Sequence, residues 1–488
     1  MFKFFKSFKT LLLFNVVILI VGIVIILIID SYSGFLIKNI SLLGETNSAE
    51  VYQQEINITF NKTINKNFPI ENIKIIPTTK YKLNLIGNNI RIVFLENLQY
   101  STEYTIDLSE VQDVFGNNLI NNKVFKFYTK DMFISFIRHN TETQDDSVIL
   151  LNLSKQKEEE IFRSKEINLL SANNKFIVFT YKNYINNKLD ENIKIFNLIN
   201  KNTETFTLNN FRIKKISIHP FDPIIALIGQ RIELQNINGK EIIVPLRDDP
   251  YQNLYKLNLQ NKELKLLEIF ESEASILDVW FMLIGNSVLI KANAIFNPGY
   301  YYIYNLNTKN LQPLNTFLSL NSINSAQNKI VGINYNNLET YSSDTHIEII
   351  DTNLEVSAKY FNSSVSDPIF KNNNDSIIFS KNYKNIETIR GPFEIIELQP
   401  NGDLVPILLL ENYSLENPII SFDDSILVIE KFSIDLLLNI FSNAQQTREN
   451  RDFIYHIKPG IADLVIFDIK EKSIIKEIKN SFSAVFIR

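Results

Sequence analysis

No cysteine occurs anywhere in the 488 residues. Disulfides, thiolate nucleophiles, thiolate metal sites and lipid attachment through cysteine are therefore excluded, and every folded part must rest on its apolar core. Glycine (13) and proline (14) are scarce. No phosphate-cradling glycine loop, dinucleotide fingerprint or Gly-x-Ser-x-Gly elbow is present. A single tryptophan, Trp280, weighs against a sugar-stacking surface. The four histidines (His139, His219, His346, His456) lie far apart, form no ligand pair, and read as surface or turn residues. The net charge of −5 leaves no global basic field, so nucleic acid is not an expected partner. No cofactor, metal or catalytic residue is assigned.

What is abundant is isoleucine, asparagine, phenylalanine (36) and tyrosine (20). The apolar members favour strands, and asparagine tolerates the left-handed turn conformation that glycine usually supplies. An all-β protein is the expected class. One long apolar run interrupts this pattern: LLLFNVVILIVGIVIILII, residues 11–29, carries no charge. About 20 helical residues span roughly 30 Å, the thickness of a bilayer's hydrocarbon core. Lys3, Lys6 and Lys9 precede the run and Asp30 ends it. The positive-inside rule then assigns residues 1–10 to the cytoplasm and everything after Asp30 to the outside. The run is too long for a signal peptide, and Ser31, Ser33 and Gly34 form a poor cleavage site, which favours an uncleaved, single-pass anchor in the cell membrane.

Residues 30–50 read as a spacer. From 51 to 130 a compact strand pattern follows: EINITFNKTI (55–64), IKIIP (73–77), YKLNLIG (81–87), NNIRIVFLE (88–96), TEYTIDLS (102–109) and KVFKFYT (123–129). Short alternating strands at this spacing predict a β-sandwich. Tyr104-Thr105-Ile106, then Asp113 with Gly116 and Asn117, then Phe127-Tyr128-Thr129 resemble the bacterial Ig-like domain of S-layer and surface proteins. That resemblance implies a spacer or interaction module. Asp113 and Asn117 suit a calcium site in residue type, but no further oxygen ligands stand nearby, so a turn in which they bond their own backbone is expected.

From 131 to 488 one unit recurs about six times: strand, Asn/Asp turn, very apolar strand, variable loop, third strand, polar turn, fourth strand. Examples are 168–181 with 191–208, 216–229 with 253–270, and 416–432 with 462–478. A partial unit (132–138, 147–153, 158–162) lacks its first strand, and an orphan first strand, SFSAVFIR, stands at 481–488. The orphan strand completes the partial unit, giving a propeller of approximately seven four-stranded blades. Two packed sandwiches are the alternative. DPIFKNNNDSIIFS and NPIISFDDSILVIE resemble the repeats of TolB-type and WD-like bacterial propellers, without the usual glycine.

The connections between second and third strands are long: 182–190, 230–252, 293–299, 336–344, 383–390 and 433–461. In a propeller they share one face, and long loops on a rigid scaffold commonly carry binding. Tyr184, Arg231, Arg247, Tyr251, Phe296, Tyr341, Tyr383, Arg390, Arg448 and Arg451 are the candidate partner-binding residues, tyrosine and arginine being enriched at interface hot spots. In the last loop Ile434, Leu437, Leu438 and Phe441 fall at helical spacing. The expectation is a membrane-anchored, extracytoplasmic, non-catalytic binding or scaffold protein of the cell envelope, whose partner is a protein or envelope polymer. Two alternatives stay open: a polymer hydrolase or lyase using acidic residues in the ring (Asp249, Glu273, Asp423, Asp424), and a passive surface protein.

Overall fold

Strand-forming sequence dominates the computed structural model, which describes residues 8–32, 34–42, 48–49, 51, 55–67, 69, 73–185, 188–237, 240–247, 250–270, 274–282, 286–294, 297–314, 319–323, 329–335, 345–351, 356–361, 365–382, 393–436 and 461–487. The chain divides into two compact units, Met1–Lys130 and Asp131–Arg488. The first begins with a helix, Phe8–Tyr32. The side chains described on it, over 12–26, are almost all exposed, Leu12 and Ile26 among them. Among the described residues no helix is long and apolar enough to cross a membrane.

After the helix, unit 1 folds into two four-stranded sheets. One runs Ile37–Ser41, Glu55–Phe60, Asn89–Phe94, Tyr81–Ile86; the other runs Ser48–Ala49, Val124–Thr129, Glu103–Asp107, Lys74–Ile76. The alternation read in the sequence becomes burial: Ile56, Ile58 and Phe60 from one strand and Ile90, Ile92 and Phe94 from its neighbour enter one core with Tyr104, Ile106 and Phe127. Fully burying each such side chain is worth about 1.5–3 kcal/mol. The Tyr104 hydroxyl accepts the Gln99 N–H at 3.0 Å, tying the turn before its strand to the core.

Two of these strands arise within residues read as spacer. In IKNIS the apolar residues stand three apart, which hides a strand, because a bulge between Ile37 and Asn39 shifts the register against Glu55–Phe60. Asp113 is wholly buried in a turn of its own making. Its carboxylate accepts the N–H groups of Phe115 and Asn117 (2.9 Å each) and the Asn117 amide (3.0 Å). Lys62 Nζ, also buried, lies 3.5 Å away. Burial pushes the Asp113 carboxyl up, but the Asn117 and Phe115 donors and Lys62 together hold it below the ordinary carboxylate value.

Unit 2 is a ring. Its sheets are antiparallel, and each follows chain order from inner to outer strand, with one exception. Blade 1 consists of Phe133–Asn140, Asp145–Asn152 and Lys157–Ser164, with Ser481–Ile487 as the strand beside Phe133–Asn140. Blades 2 to 7 start at Ile167–Ala172, Phe211–Ile218, Ala274–Phe281, Ser319–Ile323, Val365–Phe370 and Tyr413–Ile420. Among the described residues this gives seven blades, where two packed sandwiches would have four sheets. Apolar clusters fill the joints all the way round. One packs blade 1 against both blade 2 (Ile167, Phe179) and blade 7 (Phe432, Ala462), through Phe482 and Ile487. Others join blades 2 and 3, 3 and 4, 4 and 5, 5 and 6, and 6 and 7.

Two outcomes are expected. Phe482→Ala should destabilise unit 2 by about 3–5 kcal/mol, the cost of emptying an aromatic core position. The single tryptophan, Trp280 of blade 4, reports unit 2 selectively in denaturant unfolding of the chain. Asp113→Ala should cost unit 1 about 3–5 kcal/mol by stranding the buried Lys62 charge, read as faster hydrogen exchange across 55–129. Because the folded Asp113 value is depressed, its contribution is present above the ordinary carboxylate range and is lost as pH falls through the folded value.

Candidate functional site

The loop-bearing face of the ring is most fully described at blade 3. Its second strand, Ile224–Ile237, is 14 residues long. The first half pairs within the blade, and the second half turns back on Lys240–Pro245, so residues read as a loop form a projecting hairpin. The missed signal was present: Asn238-Gly239, the residue pair that favours two-residue hairpin turns, stands between the alternating stretches ELQNI and KEIIV. At the hairpin's base Leu246 N–H donates to the Arg231 carbonyl (3.0 Å), Ile232 N–H to Asn210 (2.9 Å), and Gln230 Nε2 to the Pro250 carbonyl (2.5 Å).

This base gathers three of the ten candidate residues. Arg231 and Arg247 are exposed, and Tyr251 is half-buried. Beside Arg231 an open cleft of about 650 Å³ runs between blades 2 and 3, lined by Asn209, Asn210, Phe211, Glu233, Leu246 and Tyr255. Gly229 forms part of its support, since a Cβ there would collide with the Phe211 ring. Tyr184 is placed differently from the loop position expected of it. It stands on the strand Phe176–Ile185, opposite Leu189, in an uninterrupted hairpin of blade 2. Phe296, Tyr341, Tyr383, Arg390, Arg448 and Arg451 lie outside the described residues. Of the expected helix in the last loop, residues 434–436 are helical and the remainder also falls outside.

Toward the axis, every inner strand carries a bulge against its neighbour, in all seven blades. A bulge leaves a backbone N–H out of the ladder. Three buried carboxylates on preceding blades accept N–H groups at or beside these bulges: Asp146 accepts Ile167 N–H (3.0 Å), Glu191 accepts Ile213 N–H (2.5 Å), and Glu430 accepts Ser483 N–H (2.8 Å). Serines on inner strands bridge in the same direction: Ser171 Oγ accepts Ile218 N–H (3.1 Å), Ser217 accepts Phe281 (3.2 Å) and Ser322 accepts Phe370 (3.3 Å). Burial raises the Asp146 carboxyl against the opposing pull of His139 and the Ile167 N–H. Burial likewise raises Glu191 against the Ile213 N–H, Lys182, Arg212 and Lys214.

The carboxylates considered for catalysis divide. Asp249 and Glu273 lie outside the described residues. Asp423 accepts from Ser421 and Ser425 in its own turn, and Asp424 accepts the N–H groups of Asn372 and Asn373 (2.7 Å each) on blade 6. Among the described residues no group of three His, Asp or Glu is arranged to hold a metal ion. His219 is a turn residue, its Nδ1 accepting from Phe221 and Asp222 N–H. His346 departs from expectation: it is buried on the strand Thr345–Asp351, where desolvation lowers its pKa. His139, half-buried, bonds Asp146 through Nδ1 at 2.8 Å.

A raised folded value means that the carboxyl contributes most below its unfolded value and loses that contribution as pH rises through the folded one. Glu191→Gln removes this dependence. The melting temperature of the wild type relative to Glu191→Gln should therefore fall as pH is raised from 4 to 7, in parallel thermal scans. A flat difference would contradict the burial described for Glu191.

Residues 40–129 match the family described as bacterial Ig-like domain. The comparison with curated protein sequences gives no match. Several solved structures are similar at low identity. TolB from Acinetobacter baumannii has 11% identity and a TM-score of 0.37 over 62% of this chain and 76% of that one. An oligogalacturonate lyase in complex with manganese has 11% identity and a TM-score of 0.44 over 73% and 94%. The Pyrococcus horikoshii acylaminoacyl peptidase has 12% identity and a TM-score of 0.44 over 72% and 50%. By its own sheet order and this family match, the chain carries a bacterial Ig-like domain followed by a seven-bladed β-propeller.

Proposed function

We propose that this protein is a membrane-anchored, outward-facing binding protein of the bacterial cell envelope, whose propeller engages a protein or envelope polymer without catalysis. The observation that carries the reading is the blade 3 hairpin, with Arg231, Arg247 and Tyr251 at its base and the cleft of about 650 Å³ beside it. Arginine and tyrosine around a concave surface on a rigid ring suit partner recognition. The anchor rests on the uncharged run 11–29, the basic residues before it, and the exposed apolar side chains of Leu12 to Ile26. The carboxylates Asp146, Glu191, Glu430 and Asp424 each accept backbone N–H groups, a structural employment that suits a scaffold.

One observation favours the second reading, an envelope-polymer hydrolase or lyase. A cavity of about 160 Å³ lies beside Glu430, and two of its lining residues, Asn417 and Ser483, have left-handed backbone (φ 50° and 52°). Strained backbone concentrates at functional sites.

Cross-linking in native membranes followed by mass spectrometry tests the binding reading. Arg231→Glu combined with Arg247→Glu should reduce recovery of the captured partner about tenfold, the scale of losing a hot-spot contact. Unchanged recovery would remove the hairpin from the binding face. Degradation of envelope polymer by the wild type, abolished in Glu430→Gln, would replace binding with the enzymatic reading.

A further inference from the structure

The two poles of the Ig-like unit differ. The chain enters at Gly34, two residues after the helix Phe8–Tyr32 ends. Asn61 holds this entry, its amide donating to the Gly34 carbonyl (2.8 Å) and its Oδ1 accepting Leu36 N–H (2.8 Å). The same pole is knitted together by Ile120 N–H to Phe35, Val114 N–H to Thr63, and Ile64 N–H to Gly87 (3.0, 3.1 and 3.0 Å). The chain leaves the unit from the other end. Val124 pairs with Asp107 near the entry, but the strand then runs to Thr129, and Lys130 bonds Ala49 and Ser101 at the far pole.

The entry pole carries four outward apolar side chains: Ile86 (65% exposed), Val114 (52%), Phe115 (46%) and Ile120 (68%). Ile120 lies over the entry itself, since a Cβ on Gly34 would collide with its Cδ1. The Lys62 ammonium, which pairs with Asp113 beneath the loop, stands 6.0 Å from the Phe115 ring centroid. Among the residues whose exposure is described, Lys38, Lys66 and Lys123 surround the pole, against one exposed acid, Glu110. Three apolar tips from one loop and a fourth from the neighbouring turn, within a basic surround, suit the boundary between lipid headgroups and acyl chains.

We infer that the entry pole of the Ig-like unit docks on the outer surface of the bilayer, inserting Phe115, Ile120 and their apolar neighbours among the lipid headgroups. This rests on the anchor reading of residues 11–29. Continuity identifies the occupant: an apolar helix whose described side chains are exposed joins the unit at this pole, two residues from the Ile120 contact. The opposite pole hands the chain on to residue 131 and is left free of lipid.

The absence of cysteine makes the test direct, because any introduced thiol is the sole labelling site. Full-length chains with Asn15→Cys, Ile120→Cys or Leu95→Cys are labelled with an environment-sensitive fluorophore. They are reconstituted in vesicles of phosphatidylcholine and phosphatidylglycerol containing spin-labelled quencher lipids. Leu95 is as exposed as Ile120 (63%) but lies toward the far pole, where its N–H bonds Lys80. The expected result is quenching with a blue shift at Asn15 and Ile120 and an aqueous signal at Leu95. Adding Phe115→Glu and Ile86→Glu should abolish quenching at Ile120 and leave Asn15 unchanged. Quenching at Asn15 with an aqueous Ile120 overturns the docking alone. Equal quenching at Ile120 and Leu95 overturns it as well, because lipid contact would then have no polarity. An aqueous Asn15 overturns the anchor reading and the docking with it.

Discussion

The whole of unit 2 depends on one pairing, Ser481–Ile487 against Phe133–Asn140. It gives blade 1 its inner strand and brings Phe482 and Ile487 into a cluster shared with blades 2 and 7. Without it, blade 1 offers an unpaired inner edge and blade 7 has no neighbour on one side. An exposed edge of this length is a template for aggregation, and closing the ring removes it. The remaining joints are local, between blades consecutive in sequence, and each is filled by aliphatic and aromatic side chains.

Closure also sets the conditions near the axis. Seven sheets meeting around one centre must twist their inner strands sharply, and a bulge in every inner strand supplies that twist. Asp146, Glu191 and Glu430 each accept an N–H from the inner strand of the following blade, in a dry interior where an unpaired backbone group would be costly. Each acid belongs to one blade and its donor to the next. The polar network therefore fixes the angular relation of neighbours, while the apolar clusters supply adhesion.

Much of this architecture was legible in the sequence, because its signals are local and periodic. The strands of the Ig-like unit from Glu55 onward follow alternation, and the propeller strands follow a repeat whose phase includes the missing first strand and the orphan at 481. Legibility failed where the period breaks. The strand Ile37–Ser41 was hidden by its bulge. The blade 3 hairpin was hidden within an apparent loop although Asn238-Gly239 marked it, and Tyr184 was assigned to a loop that is strand. The site was less legible than the fold. Arg231, Arg247 and Tyr251 are 20 residues apart at most, and nothing in their spacing states that a hairpin brings them to one base. The buried acids gave still less signal, since each is recognised only by an N–H that belongs to another blade.

The residues joined at the ring's closure, Ser481 and Arg138, are over 300 positions apart in the chain. Unit 1, by contrast, completes its strand pairings within residues 35–130. During synthesis the Ig-like unit can therefore be finished while blade 1 still waits for its inner strand. Loop-closure entropy grows only slowly with length, but the strand must exist before it can pair. A chain interrupted between Asp131 and Ser481 would present a folded first unit and an open ring. In this way the closing strand reports that the blades before it have been made, and the difference is visible as an unpaired edge to any protease that attacks extended backbone.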